Sequence, residues 1–116
     1  MPTDPSPFLP LDTLDTWRDA QEQSASGPVL IYKHSSICPT SARAEKQMRQ
    51  LAEEDDVPVY RVVVQESRDV SDRIAEDTGV RHESPQLLIL QDGDAVFDAS
   101  HHRVKADRVR EQLVSS

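Results

Sequence analysis

The sequence predicts an α/β domain in which a central, mixed, four-stranded sheet is flanked by helices. Three observations carry that expectation. Short apolar runs rich in β-branched residues, "VLIYKH", "VPVYRVVV" and "PQLLIL", alternate with longer stretches whose apolar residues recur at helical spacing. Strands that alternate with helices pair in parallel, because only a long crossover brings the chain back in the same direction. Asp92-Gly93, between "PQLLIL" and "AVFDAS", is a hairpin signature, so the last two strands run antiparallel.

The elements follow in order. Residues 1–10 are proline-rich and read as a loose N-terminal arm; residues 11–116 form a single domain. Asp12 or Thr13 caps a first helix, with Leu11, Leu14 and Trp17 three apart. Gly27-Pro28 breaks the chain before "VLIYKH", whose continuous apolar start suits a buried strand. Pro39 fits the first turn of the next helix, which gathers Ala44, Met48, Leu51 and Ala52 on one face. "VPVYRVVV" is the clearest strand. Val70 and Ile74 face inward on a short third helix that Gly79 ends. The hairpin follows, and Val104, Val109 and Leu113 mark a last helix with a poor cap at its start. The order is α-β-α-β-α-β-β-α. A βαβ unit joined through a helix to a ββα unit is the thioredoxin-like arrangement.

Composition bounds the function. A chain of 116 residues supports one core, and with 36% apolar but only 4% aromatic residues that core is built from Val, Leu and Ala. The net charge of −8, from 21 acidic and 13 basic residues, disfavours nucleic acid and anionic membranes as partners. No segment approaches the roughly 18 apolar residues of a membrane span, and "MPTDPSPFLP" has neither the basic start nor the apolar core of a secretory signal. One cysteine excludes an internal disulfide framework and an all-cysteine metal site, which points to a reducing cytoplasm. Three glycines leave no nucleotide-binding pattern, and no bound cofactor is expected.

That single cysteine, Cys38, falls where a strand gives way to a helix in "YKHSSICPTSARA". Backbone N–H groups at a helix start have no intrahelical partner, and the dipole is positive there. Both favour thiolate over thiol, and the thiolate is the nucleophile of thiol–disulfide exchange. Lys33 and His34, at the end of the strand, are candidates for added positive potential. The bland alternative is a buried, inert cysteine, but the junction, Pro39 and the polar flanks disfavour it. A two-cysteine redox site would carry its second thiol at position 41, which is serine. Any disulfide formed on Cys38 must then be released by an external thiol, which implies monothiol chemistry with a low-molecular-weight thiol. Ser41 either donates a hydrogen bond to the sulfur or caps the helix turn.

Pro85, in "ESPQLLIL", opens the third strand. In the predicted topology it lies beside the helix start, where a cis bond after Ser84 would free backbone groups for an extended thiol substrate. An ordinary strand-opening proline is the alternative. The returning strand brings Ser100, His101 and His102 to the same end, either in contact with the non-protein half of a mixed disulfide or as idle loop residues.

These residues together, "YKHSSICPTSARA", "GVRHESPQ", the "QDG" hairpin and "ASHH", resemble the YtxJ family of monothiol bacilliredoxins, thioredoxin-fold proteins of the bacillithiol system. The resemblance runs from about Trp17 to Leu113. It implies that Cys38 is the redox-active thiol of a "CPxS"-like site, that Pro85 is its cis-proline, and that the substrates are protein–bacillithiol mixed disulfides, with bacillithiol as co-substrate. Two other classes remain open on sequence alone. One is an iron–sulfur cluster carrier of the monothiol glutaredoxin kind, which Pro39 disfavours. The other is a thioredoxin-fold adaptor without chemistry.

Overall fold

The structure, a computed structural model, describes residues 7–37, 39–55 and 57–115; Cys38 lies outside them. The elements are β1 (Leu9–Pro10), α1 (Leu14–Gln23), β2 (Val29–His34), α2 (Pro39–Glu54), β3 (Val59–Val63), α3 (Arg68–Thr78), β4 (Gln86–Gln91), β5 (Asp94–Ser100) and α4 (Ala106–Ser115), with a 3₁₀ turn at His101–Arg103. The sheet order is β1-β3-β2-β4-β5. β2 runs parallel to β3 and antiparallel to β4, and β4–β5 is the antiparallel hairpin. Asp92 and Gly93 both have positive φ, 53° and 82°, as a tight hairpin turn requires.

The fold class matches the expectation, but the sheet has a fifth strand. Leu9 and Pro10 pair in parallel with Tyr60 and Arg61, so the end of the expected loose arm belongs to the domain. Phe8 explains why. It is buried, its ring lies 6.1 Å from that of Tyr32, and the guanidinium carbons of Arg61 and Arg49 stand 5.0 and 5.6 Å from its centroid. Burying an aromatic side chain under two cations fixes the segment, and Pro10, lacking an N–H, is tolerated at an edge.

Strand alternation divides the core into two layers. Leu30, Tyr32, Leu87 and Ile89 pack against Met48 and Leu51 of α2 and Val109 of α4. Val29, Ile31, Leu88 and Leu90 pack against Trp17 of α1 and Val70 and Ile74 of α3. Thr13 caps α1, its side chain accepting from the Thr16 N–H, and the Trp17 indole N–H donates to Asp77 of α3 at 2.8 Å. No described helix is long and apolar enough to cross a membrane.

The start of α4, which lacks a cap in its own sequence, is capped from another helix. The side-chain oxygen of Gln47, on α2, accepts from the Ala106 N–H at 2.7 Å. Replacing Gln47 with alanine is therefore expected to cost about 1 kcal/mol, as loss of a helix cap does. Thermal unfolding would show the midpoint falling by a few degrees; an unchanged midpoint would mean that water serves Ala106 equally well.

Candidate active site

One rim of the sheet collects the ends that matter. β2 and β3 finish there, β4 starts there, β5 returns there, and α2 begins there at Pro39. The segment approaching Cys38 is held by hydrogen bonds to buried or distant partners. The Ser35 N–H donates to the hydroxyl of Ser41 at 3.2 Å, and Ser41 is fully buried. The Ser41 carbonyl accepts from the Tyr32 hydroxyl at 3.0 Å. Gln65, just beyond β3, donates through Nε2 to the Ser35 hydroxyl at 2.8 Å and accepts from the Ser36 N–H at 3.1 Å. Ile37 is 81% exposed, an apolar side chain left in solvent next to Cys38 in the chain.

The two expected cations separate. His34 faces α2, with Nδ1 2.8 Å from the Tyr32 hydroxyl and Nε2 3.3 Å from Glu45. Burial holds its pKa below the usual histidine range, Glu45 opposing and Arg61 adding to the effect. Lys33, one residue earlier, points to the opposite face. It is fully buried, and its ammonium donates to the Ser71 carbonyl at 3.1 Å and lies 3.2 Å from Nδ1 of His82. Burial lowers its pKa to about 8, against the pull of Asp72. Lys33 thus faces α3, whereas His34, Tyr32 and Ser41 meet on the α2 side.

The peptide between Ser84 and Pro85 is cis. Pro85 is buried, and its carbonyl accepts from the His101 N–H at 2.8 Å. Ser100, at the end of β5, pairs with Gln86. His101 adopts a positive φ of 57° and turns Nε2 onto Glu83 at 3.0 Å, bracing the turn after β5 against the segment before Pro85. The backbone of that segment is tied back by Gln86, whose Nε2 donates to the Arg81 carbonyl at 2.8 Å. His101 and His102 share with Pro39 and Thr40 a groove of about 590 Å³. Lys33, His34, Ser41, Ser84, Pro85 and Ser100 do not line it.

Gln65 and Glu83 are the members that sequence reasoning missed. A glutamine straight after "VYRVVV" signals only that a strand has ended, and its serine partners lie 29 and 30 positions earlier.

The family model for monothiol bacilliredoxin BrxC matches residues 9–109 of the chain. Among solved structures, a thioredoxin-fold protein suspected of oxidoreductase activity is 33% identical, with a TM-score of 0.83, covering 90% of this chain and 91% of that one. An N21Q mutant thioredoxin from Halobacterium salinarum NRC-1 is 21% identical, TM-score 0.75, covering 98% and 95%. Fasciola hepatica thioredoxin is 15% identical, TM-score 0.76, covering 93% and 98%. The last two show the fold.

Proposed function

The chain belongs to the monothiol bacilliredoxin BrxC family and has the thioredoxin fold of thiol oxidoreductases, and from that premise we propose that it removes bacillithiol from protein mixed disulfides through Cys38 alone. The observation that carries this reading is the shared rim. The chain on both sides of Cys38, the cis Ser84–Pro85 bond and the turn at His101 converge there, beside a groove open to a small molecule.

The reaction is two exchanges. The Cys38 thiolate attacks the bacillithiol sulfur of the substrate disulfide. A bond forms between those sulfurs, the old S–S bond breaks, and the substrate protein leaves as a thiolate that takes a proton from solvent. A second bacillithiol thiolate then attacks the bacillithiol sulfur held on Cys38, giving the bacillithiol disulfide and restoring the Cys38 thiolate. Each protein thiol freed therefore consumes one further bacillithiol, and no bound cofactor is needed. With serine at position 41, no internal thiol competes for the second step.

The surrounding residues take definite parts. Ser41, with its oxygen already accepting from Ser35, has its own proton to offer the sulfur. His34, held toward the neutral form, supports Tyr32 and the Ser41 carbonyl rather than supplying charge at neutral pH. Lys33 acts on the segment before Pro85 through His82. His101 presents its groove face next to Pro39.

The test is the rate of alkylation of Cys38 against pH, read as mass on the intact protein with Cys38→Ser as blank. A midpoint well below the free-cysteine value of about 8.5 is expected. A midpoint at or above it would overturn the exchange reaction.

A further inference from the structure

The groove beside Pro39 has a charge opposite to that of the protein. The chain carries −8 overall, yet among the described residues no Asp or Glu lines the groove, whereas Arg43, Lys46 and Lys105 do, beside His101 and His102. On the same helix and its neighbours, Arg49 and Arg61 both reach Glu45, and Arg110 reaches Asp55. Arg43, Lys46 and Lys105 enter no ion pair among the described residues. On so acidic a surface, three cations gathered on one concavity, with no ion pair among the described residues, favour an anionic occupant.

The geometry says where the negative charge must lie. Arg43 and Lys46 follow Pro39 by four and seven residues along one face of α2, roughly 6 and 10 Å at the helical rise. Lys105 stands on the opposite wall, one residue before the Ala106 N–H that Gln47 pins to α2. Ala44 and Val104, both buried, form an apolar floor between the walls. A volume of about 590 Å³ suits a molecule of several hundred daltons and far exceeds what cysteine or mercaptoethanol would fill.

Resting on the exchange reaction proposed above, we infer that this groove seats the non-protein half of the mixed disulfide and selects small thiols carrying carboxylates at the end remote from sulfur. Arg43 and Lys46 are the specificity-determining pair, with Lys105 opposite. Neutral or cationic small thiols gain nothing from this end of the groove.

S-methylated thiols test the binding without the chemistry, since they cannot exchange. S-methylglutathione and S-methylbacillithiol would be titrated into the intact protein and into Arg43→Gln/Lys46→Gln, beside neutral 2-(methylthio)ethanol, with binding read from backbone amide shifts. The carboxylate probes should move residues of early α2 and 101–106. They should bind about tenfold more weakly to the double variant, as loss of two exposed ion pairs implies, and weaken as salt rises. Equal binding of neutral and carboxylate probes, or a double variant indistinguishable from the parent, would overturn the inference. De-thiolation assays separate the two levels. Equal rates for charged and neutral adducts overturn the groove alone, while carboxylate binding without any de-thiolation overturns the exchange reaction and leaves the groove standing.

Discussion

Replacing Cys38 with serine is expected to lower de-thiolation of a bacillithiolated protein at least about a thousandfold, to the uncatalysed rate. The chain holds one cysteine, so no neighbouring thiol can substitute. A serine hydroxyl keeps its proton at neutral pH and forms no stable bond to the attacked sulfur, so both exchanges stop at the first. The change is nearly isosteric, and the described residues before and after position 38 have partners of their own. Ser41 is held by Ser35 and Tyr32, and Ser35 and Ser36 by Gln65. The melting midpoint should therefore stay within about 2 °C of the parent, since exchanging one side-chain atom for a near-isosteric one leaves these supports in place. A variant that keeps its fold and its de-thiolation would remove Cys38 from the reaction. Loss of activity accompanied by unfolding would leave the assignment to the alkylation profile.

How much of this was legible in the sequence depends on the range of the interactions involved. β2, β3 and β4 could be read because β-branched and apolar runs declare a buried strand locally. The hairpin was legible in Asp92 and Gly93, the two residues that bend the chain with positive φ. β1 was not, since two residues, one of them a proline, carry no strand signal; it forms because Phe8 docks on Tyr32 and the Leu11 N–H reaches the Arg61 carbonyl at 3.0 Å. The cap of α4 was hidden for the same reason, Gln47 being 59 positions away. At the site, the cis bond before Pro85 was suggested by topology, and Pro39 and His101 do share a groove. Lys33 shows a different limit. Pairing it with His34 as two charges at one strand end neglects that successive side chains leave a strand on opposite faces. In a sheet covered on both sides the other face is also core, so the lysine is buried against α3. The groove combined both cases. Arg43 and Lys46 share a helix face by spacing alone, but their facing wall, Lys105, needs the whole fold to arrive.

Substituting methionine for Lys33 is expected to stabilise the protein at pH 7 by about 2 kcal/mol and raise its melting midpoint by roughly 5–10 °C. The ammonium is fully buried, with a folded pKa of about 8 against 10.5 for the exposed group. Below pH 8 both folded and unfolded chains hold the proton, and the folded state bears the full cost of the buried charge, about 3 kcal/mol from the difference in pKa. Between pH 8 and 10.5 the folded state releases the proton first, the unfolded state binds more, and parent stability rises with pH. Above that window both are neutral and the cost has gone. The advantage of methionine should therefore be largest at pH 7 and fade by about pH 10.5. Loss of the attraction to Asp72 and of the bond to the Ser71 carbonyl reduces the gain from 3 to about 2 kcal/mol. Denaturant titrations of parent and variant at pH 7 and 10 read this difference directly. A variant less stable at pH 7 would show that the bonds to Ser71 and His82 outweigh desolvation. A lysine that costs stability needs another reason to be there, and the structure supplies one. With Ser71, whose hydroxyl lies 3.2 Å from Nδ1 of His82, it anchors the segment entering Ser84–Pro85. The stabilised variant should accordingly de-thiolate its substrate several-fold more slowly while its Cys38 alkylation profile stays unchanged, because the lysine points away from the α2 side and acts through the loop.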